Sequence, residues 1–226
     1  GLVQIVDLPS SVTTTFENRY ANGRRTQHIL SLAQPIGALD IPDQWKKCPV
    51  VLLAPVWDEV DSSMASIFSS SILGLSPQGW MRRVEASNVV RQKPWADDPV
   101  LGKSHVVVVS EFDLPSRKLP DAWVQHHGGI LILTKGSSDS VAHWNGQWFR
   151  IPAFPADEED PTGAGDVFVA TYLVRYSETR DALASCLYAS CAASLKVEAK
   201  GSTGIPTRDA IQSRADAHRG LEVVTL

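Results

Sequence analysis

Short runs of consecutive apolar residues recur along the chain, each bounded by turn-forming residues. The runs at 49–54, 72–75, 105–109 and 129–134 are continuous rather than alternating, which is typical of strands buried on both faces of a parallel sheet. Between the first two runs, the pattern at 61–69 predicts a helix. These segments therefore predict a central, mainly parallel sheet.

Two segments have the pattern of β-hairpins. In each, Asn-Gly separates two stretches with strand character, and both residues of this dipeptide tolerate the positive φ that a tight turn requires. The first hairpin spans 12–32 around Asn22-Gly23, and the second spans 141–151 around Asn145-Gly146. We expect the first hairpin to project from the domain as a small β-layer.

The chain changes character after Thr162, where helical periodicity replaces the strand pattern. Helices are predicted at 163–176, 181–196 and 208–217. Strand–helix alternation followed by a helical block predicts an α/β fold of three layers. Because the sequence contains no internal repeat, low-complexity tract or linker, residues 1–226 are predicted to form a single domain.

The composition and charge of the chain limit the kinds of partner that it is expected to bind. The chain has 226 residues, of which 43% are hydrophobic and 20% charged, and its formal net charge is −4. No overall attraction to nucleic acid or anionic lipid is therefore predicted. The cysteines Cys48, Cys186 and Cys191 form no CxxC pair, which suits a reducing compartment. Since no apolar run approaches the roughly 20 residues that span a bilayer, a cytoplasmic protein without a membrane partner is predicted.

The most informative segment is Asp160-Pro161-Thr162-Gly163-Ala164-Gly165-Asp166, which opens an apolar helical stretch. Small residues at its centre allow a ligand to approach the backbone closely. The first N–H groups of a helix lack internal partners and carry partial positive charge, so they can bind a phosphate or a developing oxyanion. Asp166 would lie beside this anion site, where a carboxylate can take a proton from an attacking hydroxyl.

This combination favours phosphoryl transfer to an alcohol, a reaction in which positioning and charge stabilisation supply most of the catalysis. The alternative is purely structural. A short glycine pattern is a weak signal by itself, and these residues would then provide tight packing, with Asp166 as an ordinary acid at a helix N-terminus.

The 160–166 segment resembles the C-terminal signature of the PfkB carbohydrate kinase family, within the ribokinase-like superfamily. The resemblance implies a ribokinase-like fold, ATP and Mg²⁺ as cofactors, and Asp166 as the catalytic base. It places Thr162 at the nucleotide and Asp160 at a monovalent cation such as K⁺, with a loop or capping carboxylate as the alternative for Asp160. The residues of the implied anion hole are Gly163, Ala164 and Gly165.

Two further segments fit the nucleotide site of the same family. Thr134 and Gly136 follow a buried strand, where the family has a turn near the ATP phosphates. Asp139 departs from the family, which often has a glycine at that position. Near the C-terminus, Gly201 and Gly204 resemble the loop that closes the nucleotide pocket.

The family's Asn-x-x-Glu motif, which organises magnesium and phosphate through water, is altered in this sequence. Ser110 stands in place of the Asn and Asp113 in place of the Glu. Asp113 can still hold a hydrated Mg²⁺, which prefers a few carboxylates plus water. The alternative is that Asp113 simply caps the helix that follows.

The first hairpin, 12–32, resembles the lid that covers the acceptor in this family. Asn18, Arg25 and Gln27 are candidate hydroxyl-recognising groups, since a polyol needs paired donors and acceptors. Gln78 belongs to a segment similar to one in the inositol-kinase-like and short prokaryotic branches, so a sugar or polyol substrate is expected. Because such lids often mediate dimers, a homodimer through the lid is also expected.

The N-terminal end departs from the family. Residues 1–9 do not match the family's first strands, which carry an Asp that grips the acceptor and are followed by a Gly-Gly segment. We therefore expect an N-terminal part of the fold to be missing from this sequence. These departures leave two other functions open: a non-catalytic protein that binds nucleotide or sugar on the same fold, and a nucleoside kinase.

Overall fold

The computed structural model describes residues 3–21, 24–95 and 98–226. In chain order, its strands are β1 (Thr15–Ala21), β2 (Arg24–Ser31), β3 (Val50–Leu53), β4 (Ile72–Leu75), β5 (Arg82–Val84), β6 (Val90–Gln92), β7 (Val106–Ser110), β8 (Ile130–Lys135), β9 (Ser138–Trp144), β10 (Gln147–Ile151) and β11 (Val224–Thr225). The α-helices are α1 (Asp121–His126), α2 (Ala164–Thr179), α3 (Ala182–Lys196) and α4 (Arg208–Ala217).

A seven-stranded sheet lies at the centre, with the strand order β11-β10-β9-β8-β7-β4-β3. The neighbouring strands β3, β4, β7 and β8 are all parallel, whereas β9 and β10 are each antiparallel to the strand before. None of the residues in the four parallel strands is exposed. The mainly parallel sheet predicted from the continuous apolar runs is thus confirmed.

Apolar clusters cover both faces of this sheet, because successive strand residues point to opposite sides. On one face, Leu73 and Val107 pack in a cluster that includes Trp123 of α1. On the other, Val106 packs with Phe168 of α2 and with residues of α3. The three layers predicted from the sequence are therefore present, and helices α2 and α3 form most of one of them.

A small β-layer accompanies the central sheet. Strands β1 and β2 pair as the predicted antiparallel hairpin, although its turn residues Asn22 and Gly23 lie outside the described residues. A second hairpin, β5 with β6, lies beside it through an isolated bridge between His28 and Val89. Only the first hairpin was predicted, and the layer therefore has two parts rather than one.

The predicted helices match the structure closely except near the start. The helix predicted at 61–69 is the 3-10 helix Ser62–Phe68, which begins with the Asp61 carboxylate accepting a hydrogen bond from the Ser63 N–H at 2.8 Å. Helices α3 and α4 lie where they were predicted, and α2 extends to Thr179. None of the helices in the described ranges has the length and hydropathy needed to cross a bilayer.

His127, at the end of α1, makes the stability of this fold sensitive to pH. Its Nε2 lies 2.9 Å from the Ser104 hydroxyl, and its Nδ1 is buried without a hydrogen-bond partner among the described residues. Burial, the largest cause, lowers the pKa of His127 below its usual value of 6.5. The unfolded chain therefore takes up this proton first, and we expect the free energy of unfolding to fall as the pH drops below about 6.5.

Urea unfolding at a series of pH values tests this expectation. His127→Gln should flatten the loss of stability on acidification. The matched control is His126→Gln, because the neighbouring His126 is exposed and its Nδ1 donates to the Ala122 carbonyl of the same helix at 2.9 Å. Equal acid sensitivity in wild type and His127→Gln would contradict the assignment.

Candidate functional site

The carboxyl ends of the four parallel strands converge at one edge of the sheet, which is where α/β folds bind ligands. The loops after β3 and β4 are in direct contact there, since the Gly79 N–H donates to the Pro55 carbonyl at 2.9 Å. A Cβ at Gly79 would lie 2.1 Å from the Trp57 carbonyl oxygen. Only glycine permits this close approach, which holds the neighbouring Gln78 at the edge.

The start of α2 lies at the same edge. Strand β10 runs in the direction of β8, because two successive antiparallel pairings reverse the chain twice. The segment that follows β10 therefore leaves at the carboxyl ends of the parallel strands, and α2 returns across β3, β4 and β7. Contact is close at Gly74, where a Cβ would lie 2.6 Å from Leu173 Cδ1.

The first turn of α2 presents unused backbone donors. Gly163 is the N-cap, with φ of 84°, a left-handed conformation that favours glycine, and it provides no side-chain cap. The Ala164 N–H donates to the Pro161 carbonyl at 3.2 Å. The N–H groups of Gly165 and Asp166 have no acceptor among the described residues. A Cβ added at Gly165 would meet nothing within 4 Å, so open space lies beside this part of the turn.

The Asp166 carboxylate lies beside these donors. It forms no hydrogen bond or ion pair with any residue in the described ranges, and the side chain remains accessible. Partial burial raises the pKa of Asp166 above its usual value of 3.8. An unpaired carboxylate with a raised pKa at a helix N-terminus is the arrangement expected of a proton acceptor.

Asp160 joins the 160–166 segment to the loop at 201–204. Its carboxylate accepts hydrogen bonds from the N–H groups of Thr162 and Gly201, both at 3.0 Å. The bond from Gly201, followed by those from Thr162, lowers the pKa of Asp160 to about 2. These hydrogen bonds are of the kind that a loop carboxylate makes, which is the alternative to a cation site that the sequence left open for Asp160. Gly204, a predicted site residue, packs against Lys196. Lys196 was not predicted from the sequence to belong to the site.

The two residues of the altered Asn-x-x-Glu motif, Ser110 and Asp113, have different roles in the structure. Ser110 caps the short 3-10 helix Glu111–Asp113 by accepting from the Phe112 N–H at 3.3 Å. Asp113 caps no helix, because the next helix, α1, starts only at Asp121 after Pro120. Instead, its carboxylate accepts a hydrogen bond from the Gln78 side-chain amide at 2.8 Å. Two predicted site residues from different loops are therefore brought together.

The turn after β8 completes this edge. Thr134 pairs with Ser110 in the sheet, and its hydroxyl donates to the Val109 carbonyl at 3.4 Å. Gly136 has φ of 60°, as the tight turn into β9 requires. Asp139, where the family often has glycine, accepts from the Ala153 N–H at 2.9 Å and pairs with Arg150 at 3.2 Å. Its role here is therefore to hold the end of β10.

The predicted acceptor-binding residues of the hairpin are partly paired with each other. The Gln27 side-chain amide donates to the Asn18 side-chain oxygen at 3.1 Å across β1 and β2. Arg25 lies in β2, but its side chain falls outside what the structure describes. The hairpin contacts the carboxyl edge through Phe16, whose ring lies 6.1 Å from that of Trp57 and 5.1 Å from the Arg82 guanidinium.

Both the sequence and the structure of the chain resemble those of known kinases. Residues 114–208 match the family model of the pfkB family carbohydrate kinases. The chain is 41% identical over 91 residues to a nucleoside kinase of Methanocaldococcus jannaschii, covering 39% of this chain and 30% of that protein. It is 36% identical over 83 residues to the ribokinase of Bacillus subtilis, covering 36% and 28%. The matches thus span less than a third of these curated relatives.

Solved structures resemble the chain over more of its length. A pyrophosphate-dependent myo-inositol kinase matches with a TM-score of 0.74 at 18% identity, over 94% of this chain and 76% of that one. A fructokinase of Xylella fastidiosa with bound ATP matches with a TM-score of 0.66 at 15% identity, over 88% and 72%. At such identities the likeness shows the fold alone. Residues 114–208 are therefore similar to the pfkB family carbohydrate kinases, and the chain shares the fold of these solved kinase structures.

Proposed function

We propose that this chain is an ATP-dependent kinase that transfers the γ-phosphoryl group to a hydroxyl of a sugar or polyol. The observation that carries the proposal is the first turn of α2, where free backbone donors lie next to the unpaired Asp166 carboxylate. A site for phosphoryl transfer to an alcohol needs both features at once: positive charge for the transferred group and a base for the hydroxyl proton.

In the proposed reaction at the start of α2, the bond that forms at phosphorus is matched by one that breaks. The acceptor oxygen forms a bond to the γ-phosphorus, the bond from that phosphorus to the β,γ-bridging oxygen breaks, and ADP leaves. The hydroxyl proton passes to the Asp166 carboxylate. The Gly163–Gly165 segment stabilises the charge on the equatorial oxygens through its N–H groups and the helix dipole. Since the Ala164 N–H is bound to Pro161, we assign the direct contacts to Gly165 and to the Asp166 backbone.

The residues around the carboxyl edge would hold the rest of the donor. We assign Thr134, Gly136, Thr162, Gly201 and Gly204 to the nucleotide side. Ser110 and Asp113 lie at the end of β7, where the carboxylate of Asp113 suits Mg²⁺ held through water. In the described residues no cluster of three or more acidic, His or Cys side chains could hold a metal ion. Bound through water beside Asp113, Mg²⁺ neutralises charge on the phosphates.

The acceptor is assigned to the side of the edge that faces the small β-layer. Gln78 lies in a loop held by Gly79, and Asn18 and Gln27 pair on the hairpin. Together with Arg25, these groups supply the donors and acceptors that a polyol requires. A homodimer through the hairpin and a location in the cytoplasm remain expectations from the sequence.

A nucleoside kinase is the second candidate. It is favoured by the 41% identity of part of this chain to a protein named as a nucleoside kinase. The same two features of α2 would serve it, since only the acceptor differs. A non-catalytic binding protein is less well supported, because binding alone does not require an unpaired carboxylate beside the anion site.

Product analysis with a panel of acceptors tests the proposal. The chain, and a longer natural form wherever one exists, is supplied with ATP and Mg²⁺ and then with hexoses, pentoses, polyols including myo-inositol, or nucleosides. Acceptor-dependent release of ADP is the expected result, and the best acceptor distinguishes the two candidates. A parallel series with inorganic pyrophosphate identifies the donor. Tight nucleotide binding without release in either form would instead support the binding protein.

A further inference from the structure

Lys196, the last residue of α3, is buried although it carries a charge. Only 3% of its surface is exposed. Buried lysines normally have an ion-pair partner, yet within the described residues no carboxylate lies at ion-pair distance from this ammonium. Its hydrogen bonds go to two backbone carbonyls, those of Asp160 at 3.5 Å and Ala199 at 3.3 Å. The ammonium is thus held by backbone oxygens rather than by a salt bridge, although its charge is among the causes that lower the pKa of Asp160.

The Lys196 side chain also lies close to Gly163, the N-cap of α2. A Cβ placed on Gly163 would be 3.6 Å from Lys196 Cε. Gly204 is held against the same lysine, since its Cβ would lie 2.4 Å from the Lys196 carbonyl oxygen and 3.2 Å from Cδ. The side chain therefore runs between the 160–166 segment and the 201–204 loop.

The backbone reinforces this junction. The Val197 carbonyl, just past the end of α3, accepts from the N–H groups of Glu159 at 2.8 Å and Asp160 at 3.0 Å. A cation at the C-terminus of a helix is favoured by the helix dipole. The positive charge of Lys196 thus lies at the negative end of α3 and close to the positive end of α2, where the phosphoryl group would bind.

We propose that the Lys196 ammonium is a built-in cation that joins the two loops and so positions the anion site of α2. It takes the place for which the sequence suggested K⁺ at Asp160, and donor binding is therefore independent of monovalent cations. Lys196 is a positioning residue, because it contacts the loops rather than the reacting atoms. The inference rests on the proposed function only in assigning the donor phosphates to the first turn of α2.

Two measurements on the wild-type chain and on Lys196→Met test this proposal. Methionine keeps an unbranched apolar side chain but leaves the carbonyls of Asp160 and Ala199 without a donor. The first measurement is calorimetric binding of ATP with Mg²⁺ in K⁺, in ammonium and in tetramethylammonium at equal ionic strength. The second is the thermal midpoint in the same salts without nucleotide. Lys200→Met is the matched control, because that side chain is 79% exposed.

We expect wild type and Lys200→Met to bind ATP equally in all three salts. Lys196→Met should bind about tenfold more weakly in tetramethylammonium, and K⁺ or ammonium should restore both its affinity and its midpoint. If ATP binding to the wild type requires K⁺, the proposal is overturned, even if the variant fails to fold. It is also overturned if Lys196→Met binds ATP more weakly and no cation restores its affinity. If ATP does not bind at all, the proposed function fails, whereas the thermal measurement still tests Lys196.

Discussion

Replacing Asp166 with asparagine is expected to lower the rate of phosphoryl transfer by about 10²–10⁴-fold, the usual contribution of a positioned general base. The amide keeps the size of the side chain but cannot accept the hydroxyl proton. Binding of the donor should change little, because the backbone N–H groups at the start of α2 are retained. Initial rates and calorimetric binding on the same preparations separate the two effects.

The stability of this variant distinguishes a catalytic from a structural carboxylate. Because burial raises the pKa of Asp166, its charge opposes folding at neutral pH, and Asp166→Asn should not lower the thermal midpoint. Asp209→Asn is the matched control, since Asp209 is an exposed acid in the first turn of α4. Full activity in Asp166→Asn would remove Asp166 from the mechanism.

The pH dependence of the wild-type rate follows from the same raised pKa. Asp166 acts as a base only when ionised, so the rate should decline as the pH falls through its pKa in the protein. That decline is expected at a pH above the usual aspartate value of 3.8. The residual activity of Asp166→Asn should lack this acid limb, and an unchanged limb would assign the titration to another group.

Replacing Gly129 with alanine is expected to destabilise the fold by about 3 kcal/mol, at the upper end of the usual cost of overpacking. A Cβ at this position would lie 2.2 Å from the carbonyl oxygen of His105 and 2.7 Å from its carbonyl carbon. The same carbonyl accepts a hydrogen bond from the Ile130 N–H at 3.0 Å. The new methyl group must therefore force apart the starts of β7 and β8.

Gly128→Ala provides the control at the adjacent residue, where an added Cβ meets nothing within 4 Å. We expect its free energy of unfolding to stay within about 1 kcal/mol of wild type. Urea unfolding of both variants measures the difference. Equal stability of the two would show that the backbone at His105 yields without cost, and that β7 and β8 are less tightly joined than the structure indicates.

The elements that the sequence predicted are those with a strong local pattern. Buried strands such as β4 and β7 are continuous apolar runs, and Asn145-Gly146 marks a tight turn. Hairpin β5–β6 was missed, because its strands have three residues each and include exposed polar positions. Its pairing with the first hairpin depends on tertiary contact rather than on periodicity.

The site, like the fold, could be predicted only where its residues lie close together in the sequence. Gly163 and Asp166 lie in one segment whose order alone indicates an anion site next to a base. Lys196 lies at the end of α3, 30 residues after Asp166, and only folding brings its ammonium to the Asp160 carbonyl. Asp139 is similar, because its partners, Arg150 and the Ala153 N–H, are on the next strand and beyond. Such contacts depend on topology, which a local pattern does not contain.

Phosphorus NMR of the complete reaction tests the central claim most directly, because it identifies where the phosphoryl group goes. With ATP, Mg²⁺ and the preferred acceptor, we expect a phosphomonoester signal that grows as ADP appears, and that grows about 10²–10⁴-fold more slowly with Asp166→Asn. Inorganic phosphate as the sole new product, or a phosphomonoester formed equally fast by Asp166→Asn, would contradict transfer to an alcohol with Asp166 as the base.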